Sequence, residues 1–200
     1  MHLSHWGYNF EILNLHLGRK KNIHLINAAL GSTESDVMMR IPLKKTGAMR
    51  TWRGHIEPMS DTGCGYGFKE QDVRVIALDD YVRENSIPSV DFIKADVKGV
   101  ELMVFKGAKN VISLHKPVIM AEIEGRWTER YGHKPDDVIE FLKNRGYDSH
   151  KIVWDANPRK TSLTATNRHI GKGDYLFLPK PPAKEKPHAD LGSTAWNLPE

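Results

Sequence analysis

Residues 90–108, VDFIKADVKGVELMVFKGA, decide the fold class. The stretch 90–97 is short and largely apolar, which predicts a strand. From Gly99 onward, apolar residues recur at Val100, Met103, Val104, Gly107, Ala108, Val111 and Ile112. Spacings of three and four put these side chains on one face, so a single helix packed on a sheet is expected here. Pro117 then ends the connection, and residues 118–123, VIMAEI, read as the next strand, apolar on both faces apart from Glu122. A strand buried on both sides and reached through a helix predicts a parallel βαβ unit.

Working outward, strands alternate with helices. Residues 24–30 (HLINAAL) run into Gly31-Ser32 and predict a strand ending in a turn. Residues 37–41 (VMMRI) predict another, stopped by Pro42. The segment 46–70 is rich in Gly and polar residues without periodicity and reads as a long loop. Residues 73–78 (VRVIAL) alternate as a strand does, and Asp79 or Asp80 is expected to cap a short helix over 81–84. Residues 136–144 (DDVIEFLKN) predict an amphipathic helix with Val138, Phe141 and Leu142 inward. Residues 151–154 and 175–178 are expected closing strands. From Lys180 the Pro and charge content rises, so the organisation reads as one domain over 1–179 and a disordered tail over 180–200.

The whole chain has 200 residues, with 40% apolar and 27% charged, an ordinary globular balance. Lys plus Arg number 29 against 25 Asp plus Glu, a net charge of +4. These charges alternate in sign rather than gathering into a basic stripe, so no nucleic-acid partner is expected. A mean hydropathy of −0.50 and the lack of an apolar run near 18 residues exclude a spanning helix, so no membrane association is expected. The opening residues lack a signal-peptide layout, and one cysteine, Cys64, suits a reducing compartment; a cytoplasmic location is expected. The ten histidines include no H-x-x-x-H or H-E-x-x-H pair, which argues against zinc.

In an open α/β sheet, ligands sit past the carboxyl ends of the strands. That rule selects Asp96, Glu122 or Glu124, and the stretch from Asn27 to Ala29. A carboxylate there accepts a hydrogen bond from a ligand or acts as a base. The plain alternative for Asp96 is a residue that satisfies backbone donors at the helix start. Glu101 reads as a structural first-turn acid at the positive end of the helix dipole. An unpaired carboxylate buried in a strand is costly, so Glu122 is either paired in a site or at a solvated strand end. Asp79 and Asp80 read as helix caps rather than metal ligands. The stretch 63–67 (GCGYG) lacks the flanking strand and helix of a dinucleotide loop. With Arg50, Trp52, Arg53 and His55 upstream, it reads as a surface loop or a lid.

Residues 90–108, followed by Lys116-Pro117-Val118-Ile119 and Glu122-Ile123, resemble the FkbM family of S-adenosylmethionine-dependent methyltransferases. The family pattern is close to D-F-I-K-I-D-V-E-G-A-E-L-x-V-L-K-G-A and then K-P-V-I-x-x-E-I. Asn27-Ala28-Ala29-Leu30-Gly31 and Ala77-Leu78-Asp79-Asp80-Tyr81 match upstream, as does Asn9-Phe10-Glu11-Ile12-Leu13. The resemblance implies an α/β, class I methyltransferase (Rossmann-like) fold with a mostly parallel sheet and flanking helices. It implies S-adenosylmethionine as cofactor, Asn27 and Ala28 bordering the adenine, and Asp96 and Glu122 as catalytic groups. It further implies methyl transfer to a hydroxyl of a small-molecule or glycan acceptor, such as a sugar or natural product. Lys98 stands where the family pattern has Glu. The family's D-x-G-A-N-x-G turn and F-E-P stretch do not precede Asn9, so a partial fold without the first βα unit is expected. A truncated, catalytically inactive remnant or interaction module is the alternative.

Overall fold

The computed structural model describes residues 5–48, 55–56, 66–157 and 160–181. The chain folds as α/β, in two sheets. The first has the order β1–β4–β2–β3, with β1 at Ala29–Leu30, β2 at Ser35–Pro42, β3 at His55–Ile56 and β4 at Phe68–Ile76. The second has the order β5–β6–β9–β7–β8, with β5 at Phe92–Ala95, β6 at Val118–Ile123, β7 at Tyr147–Val153, β8 at Ser162–Thr166 and β9 at Gly173–Pro179. The helices are α1 (His5–Leu17), α2 (Leu78–Glu84), α3 (Glu101–Lys106), α4 (Lys109–His115), α5 (Gly125–Thr128) and α6 (Pro135–Lys143). A 3-10 turn over Glu129–Tyr131 follows α5.

The expected mostly parallel sheet does not form; both sheets are mixed. Parallel pairs are β1 with β4 and β5 with β6, whereas β2 pairs antiparallel with both β3 and β4. In the second sheet β9 lies between β6 and β7 and is antiparallel to each, and β7 and β8 form a further antiparallel pair. Connection length explains the difference. Strands β5 and β6 are joined through α3 and α4, long enough for a crossover, while the short link between β7 and β8 joins them as antiparallel neighbours. The predicted βαβ unit is therefore present, but it is one element of a mixed architecture. Each sheet ends in a parallel edge strand, β1 in the first and β5 in the second.

The core lies between the second sheet and its helices. Phe105, Ala108, Ile112, Ile119, Ala121, Ile123, Val138, Leu142, Tyr175 and Phe177 have no exposed surface. Burying a large apolar side chain of this kind contributes about 1.5–3 kcal/mol. The alternate positions of β6 place Ile119, Ala121 and Ile123 on this core, and α6 adds Val138, Ile139 and Leu142. Tyr147 is buried with them; its hydroxyl donates to the Pro117 carbonyl at 3.0 Å, and burial pushes its pKa up to about 12.

The helix expected to run unbroken from Gly99 divides into α3 and α4 at Gly107-Ala108. The break has a contact reason. A Cβ at Gly107 would collide with the Gly31 carbonyl oxygen just past β1, so the backbone of this turn is pressed against the first sheet. The Gly107 carbonyl in turn accepts the Asp79 amide at 2.8 Å.

Asp79 does not cap its own helix: α2 starts after Ala77 with no side-chain cap, and Asp79 lies in its first turn. Its carboxylate accepts instead from the Asn110 and Val111 amides, at 3.0 and 2.9 Å, and so caps α4 from a distance. Asp80 pairs with Arg83.

Other expectations shift in detail. The strand predicted at 24–30 is confined to Ala29–Leu30, and the loop predicted at 46–70 contains β3 and the first part of β4. The strand β8 had no sequence expectation. Cys64, Arg50, Trp52, Arg53 and most of the tail from 180 lie outside the described residues.

Candidate active site

Parallel register brings the first candidates together. Ala95 of β5 lies opposite Ala121 of β6, which makes Asp96 and Glu122 the next matched positions along the two strands. Both carboxylates meet one cation. Lys98 Nζ donates to Asp96 Oδ1 at 2.9 Å and to Glu122 Oε2 at 2.8 Å. Lys94 Nζ approaches the other Asp96 oxygen at 3.7 Å. The bridge explains how an otherwise apolar strand tolerates Glu122: its carboxylate is paired with a cation and stays partly solvated. Asp96 itself is exposed at the strand end.

The turn that carries Lys98 is tightly built. Lys98 has φ +54, a left-handed conformation that costs a non-glycine residue about 1–2 kcal/mol. Next to it Gly99 has φ +99, and a Cβ there would come within 2.6–2.8 Å of Trp127, so α5 packs directly on the turn. Glu101 holds the turn from beneath. Its Oε1 accepts the Val97 amide at 3.3 Å and the Gly99 amide at 3.1 Å, while the residue is 1% exposed and its Oε2 has no hydrogen-bond partner among the described residues. The first-turn acid is thus structural, as expected, but through two flanking amides of a turn.

The electrostatics follow the geometry. Burial acts to raise the Asp96 carboxyl, but hydrogen bonds with Lys98 and Glu122 and the charges of Lys98 and Lys94 outweigh it and hold it below its usual range. Burial acts to lower Lys98, and its hydrogen bonds to Glu122 and Asp96 reverse that and raise it. For Glu101 burial dominates and raises the carboxyl, with the Gly99 and Val97 amides opposing. A carboxylate with a lowered pKa is a weaker proton acceptor.

Asn27 and Ala28 lie elsewhere, beside the first sheet. They line a cavity of about 350 Å³ with Ile26, Ile76, Ala77 and Tyr81. Glu34, Arg74, Asp80, Glu84 and Asn85 complete its wall, and neither Asp96 nor Glu122 borders it. Arg74 is held by Glu34 at 2.7 Å. Glu124, the further candidate past β6, is 8% exposed and pairs with Arg126 and with Lys172 at 3.0 Å.

Sequence reasoning named both carboxylates as candidates but not their bridge by Lys98 or the clamp by Glu101. The signal for Lys98 was present: a cation two residues past a strand-end acid, followed by a glycine. Nothing in the linear pattern announced Arg74, Glu34 or Tyr81, which reach the Asn27 cavity only through strand pairing and the placing of α2.

A family model described as Methyltransferase FkbM domain matches residues 7–149 of the 200. No curated protein and no solved structure matches the chain.

Proposed function

Because the chain belongs to the FkbM methyltransferase family, we propose that it moves a methyl group from S-adenosylmethionine to an oxygen of a small-molecule or glycan acceptor. The observation that carries this reading is the meeting of Asp96, Lys98 and Glu122 at the carboxyl ends of two parallel strands. Open α/β sheets bind their ligands at such rims.

The cavity beside Asn27 and Ala28 fits the nucleoside half of the cofactor. At about 350 Å³ it lies within the common range of small-molecule sites. Ile26, Ala28, Ile76 and Ala77 offer apolar walls for a base, Tyr81 a ring, and Asn27 and Asn85 amides for hydrogen bonds. When bound, the cofactor supplies an electrophilic methyl carbon on a sulfonium. The protein's part is to align acceptor and donor and to keep water from the reacting atoms. Asp96 and Glu122 serve the acceptor side of this arrangement, at the rim of the second sheet. The fold class of the whole, on this reading, is a class I methyltransferase, working in the cytoplasm.

One observation favours a second reading, a non-catalytic relative: the two rim carboxylates are already satisfied by an internal lysine. Titration calorimetry with S-adenosylmethionine separates the two. Micromolar binding supports the transferase, and no heat at millimolar cofactor removes it.

A further inference from the structure

Lys98 is the cation that links the two rim carboxylates. An ammonium has three N–H donors. Two are used on Asp96 and Glu122, and among the described residues no other hydrogen bond engages Nζ. The side chain keeps about a third of its surface exposed, so the third donor has access from outside. Its position is fixed from three sides: the carboxylates hold the ammonium, Glu101 holds the amides on either side of the residue, and Trp127 packs on Gly99. A left-handed non-glycine residue persists only where its surroundings enforce it.

Both carboxylates, by contrast, are already engaged by a cation. Asp96 faces Lys98 with one oxygen and Lys94 with the other, and Glu122 faces Lys98. Asp96 is correspondingly held below the ordinary carboxyl range. Deprotonating an aliphatic alcohol would call on the opposite, a carboxylate with a raised pKa. The two acids and two lysines cancel in charge, so the rim does not repel an anion.

We propose that Lys98 is the acceptor-binding residue, and that the acceptor brings an oxygen already ionised at neutral pH, a carboxylate or an acidic phenol. This rests on the methyltransferase reading above. Lys98 donates its third N–H to the anionic oxygen, and Asp96 and Glu122 act through Lys98 as positioning residues. In the transfer, an oxygen lone pair forms the new O–CH3 bond as the carbon–sulfur bond breaks, its electron pair staying on sulfur. Anion and sulfonium become a neutral ester or ether and a neutral thioether, and no proton is released.

The test uses benzoate as the anionic probe and methyl α-glucoside as the neutral one, each titrated by NMR into the full chain. Benzoate is expected to bind wild type, to bind Lys98→Met at least tenfold more weakly, and to be restored by Lys98→Arg. A purely structural role for Lys98 would not make binding follow the charge in this way. The proposal is overturned if benzoate fails to bind wild type, if it binds Lys98→Met equally, if Lys98→Arg fails to restore binding while keeping the wild-type circular dichroism spectrum, or if the glucoside binds more tightly. Cofactor calorimetry on the same protein keeps the two readings apart. Benzoate binding without cofactor binding sinks the transferase alone, and the reverse sinks only the role of Lys98.

Discussion

Lys98 Nζ lies 2.8 Å from Glu122 Oε2, across the gap between the turn after β5 and the neighbouring strand β6. With its second bond to Asp96, this makes a three-membered network at partly exposed positions. Exposed pairs are worth about 0.2–1 kcal/mol, so Lys98→Met is expected to cost on the order of 1 kcal/mol at neutral pH. The pH dependence has two ends. Asp96 is held low in the folded state, so its share is present above the unfolded carboxyl pKa and is lost as pH falls through the folded one. Lys98 is held high, so its share is present below the unfolded lysine pKa and disappears as pH rises through the folded one. Urea unfolding of both proteins at pH 3, 7 and 11 should show a gap that is widest in the middle; a gap constant across pH contradicts the network.

Asp79 joins the two halves of the fold. It sits on α2, after β4 of the first sheet, and caps α4 on the second through the Asn110 and Val111 amides. Losing a capping side chain costs about 0.5–2 kcal/mol. Asp79→Ala is expected to lower the urea midpoint by that amount, and Asp79→Asn, which keeps an acceptor oxygen, by less. Equal losses for the two variants would show that the cap is not the source.

The parts legible in the sequence were those fixed by local pattern. Residues 90–123 announced a strand, a helical face and a strand, because apolar spacing reports burial on one element at a time. Asp96 and Glu122 were legible for a related reason: each is a charge at the end of, or inside, an apolar run. What failed was most of what is decided between elements beyond the β5–β6 crossover. That β9 lies between β6 and β7 is a pairing across the sheet that no single segment encodes. The break at Gly107 comes from a collision with Gly31, 76 positions earlier in a sheet the local pattern does not encode. Asp79 reads correctly as a cap but for the wrong helix, since a cap supplied across space leaves no mark in the adjacent sequence. Lys98 was legible as a charge and not as a bridge, because its direction is set by a left-handed turn.

Glu101 gives a prediction whose direction depends on the replacement. Its carboxyl is raised in the folded state, chiefly by burial, so the folded protein favours the protonated form. As pH rises from the unfolded carboxyl pKa towards the folded one, the unfolded chain ionises first and stability declines. Glu101→Gln keeps an oxygen for the Val97 and Gly99 amides and cannot ionise, so its stability relative to wild type should improve between pH 3 and pH 7. Glu101→Leu leaves two buried amides without acceptors, each worth about 1–3 kcal/mol, and should destabilise at both pH values. Denaturant unfolding of the three proteins checks this; a Gln variant that loses ground with rising pH refutes the buried-acid account.

His133 makes the fold sensitive to mild acid. The residue lies between the 3-10 turn after α5 and the Lys134 N-cap of α6, and is 8% exposed. Burial lowers its pKa, and the charge of Lys106 adds to this, while Asp137 and the Tyr131 backbone oppose it. The folded protein therefore holds the ring neutral at pH values where the unfolded chain, near an ordinary histidine pKa of about 6.5, already binds a proton. Stability should be unaffected by this residue well above that pH, decline as pH falls below it, and stop declining once the folded ring is protonated too. His133→Gln removes the titration while leaving a polar side chain of similar length. Unfolding free energies at pH 7.5 and 5.5 should show wild type losing more than the variant over this interval. Parallel losses would assign the acid sensitivity to other groups, with His133 titrating alike in both states.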